Sequence, residues 1–249
     1  MTDDDRLRSV LSVPFTSPED AAERLSWLLR YFTRNDDGRS VFLAVYTRMT
    51  TRVREGIATG HFHNPEWVST YLTTFADYYR QAISAWEFGD RSDVPPPWRV
   101  AFIAAEHNHT TPLQDALLGI NAHINYDLAY ALAEVGIDPS RSEKREDHRR
   151  VNAILKDLVD VVQDVLSDDY DAPISRHLDR WLGSVDERAA LWSLRETREV
   201  AWRRAVSLTD AQSSLRRSVV RVRLTALSMG AAAVLLAHGV CRQQFELSP

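Results

Sequence analysis

The sequence predicts an all-α fold, a single-domain bundle of about seven to eight helices around one buried helix at residues 112–135. Three observations carry this expectation. Apolar residues recur at spacings of three and four through most of the chain, and no alternating apolar and polar stretch marks a strand. Helix start and stop signals follow one another at short intervals, with no internal repeat of fixed period. The run Thr111–Gly136, TPLQDALLGINAHINYDLAYALAEVG, opens on a capping Thr and a first-turn Pro and closes on Gly136 and Pro139.

In chain order, residues 1–14 are expected to be poorly ordered, as chain ends commonly are. Ser17-Pro18-Glu19-Asp20 opens a first helix with Leu25, Leu28, Leu29 and Phe32 on its apolar face. Asn35-Asp36-Asp37-Gly38 is a turn, and Ser40 can cap a second helix that runs to Gly60. Asn64-Pro65 opens a third, rich in aromatic residues from Trp67 to Trp86, on which Asp77 is expected to face solvent. Residues 89–97, GDRSDVPPP, form a Pro-rich internal loop, because three prolines cannot continue a helix. Trp98–Glu106 is a short helix, and the central helix follows it. Asp138-Pro139-Ser140 starts the next one, with Val151, Ile154, Leu158, Val161 and Val165 in its stripe. Pro173 opens a short helix with His177 beside its apolar face, and two further helices run from about Asp186 and from Thr209-Asp210 to the C-terminal region.

Composition narrows the function classes. The 249 residues suffice for a full core in one domain, 1–249, and 44% are hydrophobic, with seven Trp as large anchors. The 30 basic and 35 acidic residues give a net charge of −5 and no basic field, which argues against nucleic acid as a partner. The single Cys241 excludes an intrachain disulfide and a Cys-based zinc site. The acidic start MTDDDRLRSV lacks the character of a secretory signal, so a cytoplasmic location is expected. Leu224–Val240 is apolar, but at the short limit for a span, and it is expected to be a buried C-terminal helix with no membrane crossing. No phosphate loop, nucleophile elbow, H-E-x-x-H or dinucleotide fingerprint is present.

The central helix carries the candidate site. His123 and Asp127 line one edge of its apolar stripe, and Asn121 and Asn125 line the other. A His and an Asp four apart can present a nitrogen and a carboxylate to one point, which suits zinc, manganese or iron. A single pair supplies only part of a ligand set, so Asp147 on the following helix is the expected third ligand to one divalent metal. His148 is its neighbour and the candidate general acid or base. The competing reading is a buried His held by a carboxylate in a structural network. Asn121, Asn125, Tyr126 and Asn152 are the candidate substrate-binding residues. The corner residues His107 and His109, and His61 and His63 in an earlier loop, have no assigned role. The Arg-rich region 195–223 reads as a solvated face pairing with Glu196, Glu199 and Asp210, from which one Arg could reach inward to an anionic substrate.

At NAHINYDLAYAL and the later DHRRVNAIL the chain resembles an uncharacterised bacterial and archaeal all-helical family of unknown function, with an N-A-H-I-N-x-D-L helix signature. The resemblance implies only that the two polar clusters belong together. The H-x-x-x-D spacing is also similar to that of helical zinc phospholipases C and P1-type nucleases, although the chain lacks their N-terminal Trp ligand and their full set of spaced His and Asp ligands. The functional expectation is a soluble enzyme acting on a small-molecule or lipid-like substrate in an interhelical pocket. Its chemistry would be metal-assisted hydrolysis or direct His/Asp acid–base catalysis, such as an isomerisation or cyclisation. The alternative is a non-catalytic helical protein that binds a ligand or partner, and a homodimer is possible in either case.

Overall fold

The computed structural model describes residues 2–107, 110–155, 161–162, 164–167 and 187–246, and every element among them is helical. The helices are α1 (Asp3–Ser12), α2 (Pro18–Arg34), α3 (Arg39–Ala58), α4 (Pro65–Phe88), α5 (Pro96–His107) and α6 (Pro112–Ile120). A π-helical segment, Asn121–Asp127, follows, and then α7 (Leu128–Glu134), α8 (Arg141–Ile154), α9 (Glu187–Thr209) and α10 (Ser214–Glu246). These ten α segments exceed the expected seven to eight. One reason is α1 and another is the division of the 112–134 run by its π turn. The short helix expected from Pro173, with His177, lies outside the described residues.

Start signals place most helices where the sequence puts them. Ser17 accepts from the Asp20 amide, Asn64 from the Trp67 amide and Thr111 from the Gln114 amide, and each precedes a Pro in the first turn. At three places the structure differs from the sequence reading. Residues 3–12 are helical: Thr2 and Asp5 form a capping box, and Leu7 and Leu11 are buried against the bundle. The Pro-rich stretch is only partly loop, because Pro96 and Pro97 sit in the first turn of α5, where a missing amide hydrogen costs nothing. Asp77 does not face solvent. It is buried, pairs with Arg80, and accepts from the Phe15 amide at 2.9 Å and from Gln81 at 3.0 Å, and Arg80 reaches Leu11 O at 2.6 Å.

The 112–134 run packs against α3, α4, α5, α9 and α10. Two groups of buried side chains meet along it, one around α3, α4, α7 and α8 and the other around α1, α2, α4 and α5. Over residues 214–237 the C-terminal helix α10 presents one face inward, through Val220, Leu224, Ser228 and Ala232, four residues apart. Leu215, Val222 and Val234 on its other faces are more than half exposed, so it is not the buried helix expected. Its segment Ser214–Ala237 is long and apolar enough to cross a membrane by length and composition.

Candidate functional site

The site is built on the π segment NAHINYD. Here the Leu128 amide bonds back to His123 O, five residues earlier, and the wider turn stacks residues four and five apart. His123 Nδ1 lies 3.1 Å from Asp127 Oδ2, and the same oxygen accepts from Trp98 Nε1 at 2.7 Å. All three residues are buried. Phe75 stacks on the imidazole with centroids 3.6 Å apart, and Tyr46 meets its edge at 4.6 Å. Burial lowers the pKa of His123 and raises that of Asp127, while their mutual bond and charge oppose both shifts. With the ring neutral and Nδ1–H donating to Asp127, Nε2 keeps its lone pair.

That nitrogen is buried and has no hydrogen-bond partner among the described residues, and the same holds for the Tyr46 hydroxyl and the Thr50 hydroxyl. The Thr50 hydroxyl is near enough to temper the rise that burial imposes on the pKa of Tyr46, but the two are not in hydrogen-bonding geometry. His123, Tyr46 and Thr50 line one cavity of about 70 Å³, together with Phe42, Met49, Tyr71, Phe75, Ile124 and Leu155. Arg198 of α9 completes the wall.

A second buried cluster holds Arg198. Its Nη2 lies 3.3 Å from the Tyr71 hydroxyl and 3.4 Å from His148 Nδ1, and its Nε donates to Asn152 Oδ1. His148 Nε2 donates to Arg198 O at 3.2 Å, so Nδ1 is its acceptor, facing the Tyr71 hydroxyl at 3.3 Å. Burial, and then the Arg198 charge, hold the pKa of His148 well below the usual imidazole value.

The expected metal set does not assemble. Asp147 is fully buried, but its oxygens accept the His63 and Asn64 amides at 2.8 and 2.7 Å, where it caps the start of α4. Among the described residues no group of three or more His, Cys, Asp or Glu could hold a metal ion. His148, expected as an acid or base, has both nitrogens engaged and does not line the cavity.

None of the four expected substrate-binding residues lines it either. Asn121 donates to Ser228 O at 2.9 Å and accepts from Asn125 at 2.7 Å, so the Asn edge ties the π segment to α10. Asn125 also borders an open cleft between α9 and α10, with Glu196, Arg204 and Arg223. Tyr126 packs on Tyr130, and Asn152 holds Arg198. His107 is exposed and bonds to Ile103 O, His63 pairs with Glu146, and His109 lies outside the described residues.

Sequence reasoning missed Trp98, Tyr46, Thr50 and Phe75 as parts of the site, since aromatic residues at helical spacing look the same whether they face a core or a cavity. Arg198 lay in a region read mainly as a solvated face. Glu199 fits that reading, pairing with Arg145 and Arg149 at 2.8 and 2.7 Å, while its neighbour Arg198 turns inward.

No curated protein and no solved structure matches the chain. The helical-family resemblance carried by the π segment and α8 does extend along the chain, which belongs to DUF5995, a family of unknown function, matched over residues 19–238.

Proposed function

We propose that the protein binds a small, mostly apolar molecule in the cavity walled by α3, α4, the π segment, α8 and α9, and that His123 acts on it as a general base. The orphaned Nε2 of His123 carries this reading. A purely structural His–Asp network satisfies both ring nitrogens, since leaving a buried polar atom unpaired costs about 1–3 kcal/mol. Here three such atoms, on His123, Tyr46 and Thr50, belong to the wall of one cavity. A ligand bearing a hydroxyl, carbonyl or similar group would satisfy them.

The order Trp98–Asp127–His123 supports base chemistry. Trp98 holds the carboxylate, and the carboxylate holds Nδ1–H and thereby fixes the tautomer, in the manner of a base oriented by a third group. Burial disfavours protonation of the ring. The cavity volume, about 70 Å³, is roughly half the ~150 Å³ of an engineered apolar cavity that admits benzene, so the reacting part of the ligand is a group of a few heavy atoms. Direct acid–base chemistry, such as an isomerisation, fits better than hydrolysis on a metal held by His123, Asp127 and Asp147, because Asp147 is spent on the α4 cap.

Acetone in D2O tests this. An α-proton passes to Nε2, leaving the enolate; the proton on Nε2 exchanges with D2O for a deuteron, which then returns to the α-carbon. The expected result is exchange about 10²–10⁴ faster than background, followed by NMR, and lost in His123→Gln. Acetone that binds, shifting the His123 imidazole resonances, without exchanging would make the protein a non-catalytic binder. Acetone that neither binds nor exchanges would sink the proposal.

A further inference from the structure

We infer that the ligand of this cavity is a monoanion, a short-chain carboxylate whose head is held by Arg198 and whose apolar body fills the space toward Phe42 and Met49. The inference rests on the proposed binding cavity and assigns its ligand class. Arg198 is 2% exposed, and a guanidinium stays charged even when buried. Buried cations are expected to be paired, since an uncompensated interior charge is among the costliest features a fold can hold. Among the described residues no carboxylate lies within ion-pair distance of it, and its hydrogen-bond partners, Asn152, Tyr71 and His148, are all neutral. The third nitrogen, Nη1, makes no hydrogen bond among the described residues.

The neighbours orient the guanidinium without neutralising it. Asn152 fixes Nε, while Tyr71 and His148 crowd Nη2. His148 in turn is anchored by the carbonyl of Arg198 itself. Protonation of His148 would place a second charge against the first, so its burial keeps the cluster at a single positive charge. One positive charge in a chamber whose other described lining residues are uncharged matches one negative charge, and a planar guanidinium matches a carboxylate. A dianionic phosphate would leave a charge uncompensated. Asp127 does not serve, because it sits behind His123 with its Oδ2 taken by Trp98 and His123.

The test compares acetate with acetamide, which have the same shape, differ in charge and match the size of the cavity, by calorimetric titration of the full chain at pH 7. Acetate is expected to bind about tenfold more tightly, and this preference should vanish in Arg198→Gln while acetamide binding persists. The wild-type comparison stands even if that variant does not fold, and Arg198→Lys then provides a charged control that retains part of the preference. Equal binding of the two probes overturns the anion assignment and leaves the cavity reading intact. A preference that persists in folded Arg198→Gln also overturns it. Failure of both probes to bind overturns the assignment and the cavity reading together.

Discussion

At the scale of single residues, Trp98 is the support on which His123 depends through Asp127. Trp98→Phe keeps most of the ring contact with Phe42 and Phe102 but removes the donor. The expected cost is about 1–3 kcal/mol in urea unfolding. Loss of the donor also raises the proton affinity of Asp127 further, so the imidazole of His123 should become a mixture of tautomers in 15N spectra. A change in stability with an unchanged tautomer would reduce Trp98 to packing. The two buried histidines also set a pH dependence. Burial depresses both below their ordinary 6.5, so the unfolded chain takes up protons there and the folded chain does not. Their contribution is present above about pH 6.5 and is lost as the pH falls. Asp115, raised to about 6 by burial, acts in the opposite sense between its ordinary 3.8 and that value, and Asp127 is raised by burial likewise. The urea midpoint should therefore climb from pH 6 to pH 7.5, above the range in which Asp115 opposes it, and His148→Gln should flatten the climb.

At the scale of elements, the π segment and the helices meeting it control the cavity. Gly119, just before it, is there for space: a Cβ would stand 2.4 Å from Phe42 Cγ. Phe42 touches both Trp98 and His123 and lines the cavity. Gly119→Ala should cost about 1–3 kcal/mol by overpacking, and it should displace the Phe42 ring, seen as shifted His123 resonances. Asp147→Ala should loosen the start of α4, where two amides lose their acceptor. About 1–3 kcal/mol and faster hydrogen exchange at His63 and Asn64 are expected, with no dependence on added zinc or manganese. Binding of a stoichiometric metal that disappears in this variant would restore the ligand role first expected for Asp147. The i, i+4 pairing of His123 with Asp127 and of Asn121 with Asn125 was legible in the sequence. The π turn was not, because its backbone pattern leaves no mark on the apolar periodicity.

At the scale of the whole molecule, α1 packs against α2 and α4 beside the Asp77–Arg80 pair. Arg80 bonds to Leu11 O, Arg24 bonds to Val10 O and Pro14 O, and Asp77 accepts from the Phe15 amide. Deleting residues 1–12 removes buried Leu7 and Leu11, each worth about 1.5–3 kcal/mol, and opens that pair to water. A loss of about 3–6 kcal/mol in urea unfolding is expected. An unchanged midpoint would show that α1 is an appendage. The sequence by itself determined the all-helical class, most helix starts, the buried His–Asp pair and the family, because periodicity, caps and local spacing are properties of short stretches. Only the tertiary structure decided which polar residues share a chamber. It sent Asp147 to cap α4, the Asn edge to α10 and His148 to the support of Arg198, and it brought Trp98 to Asp127 and Arg198 into the wall of the cavity that His123 lines. Those choices depend on how helices far apart in the chain meet, and on which buried charges and donors find one another there. The spacing of residues along a single helix does not record either.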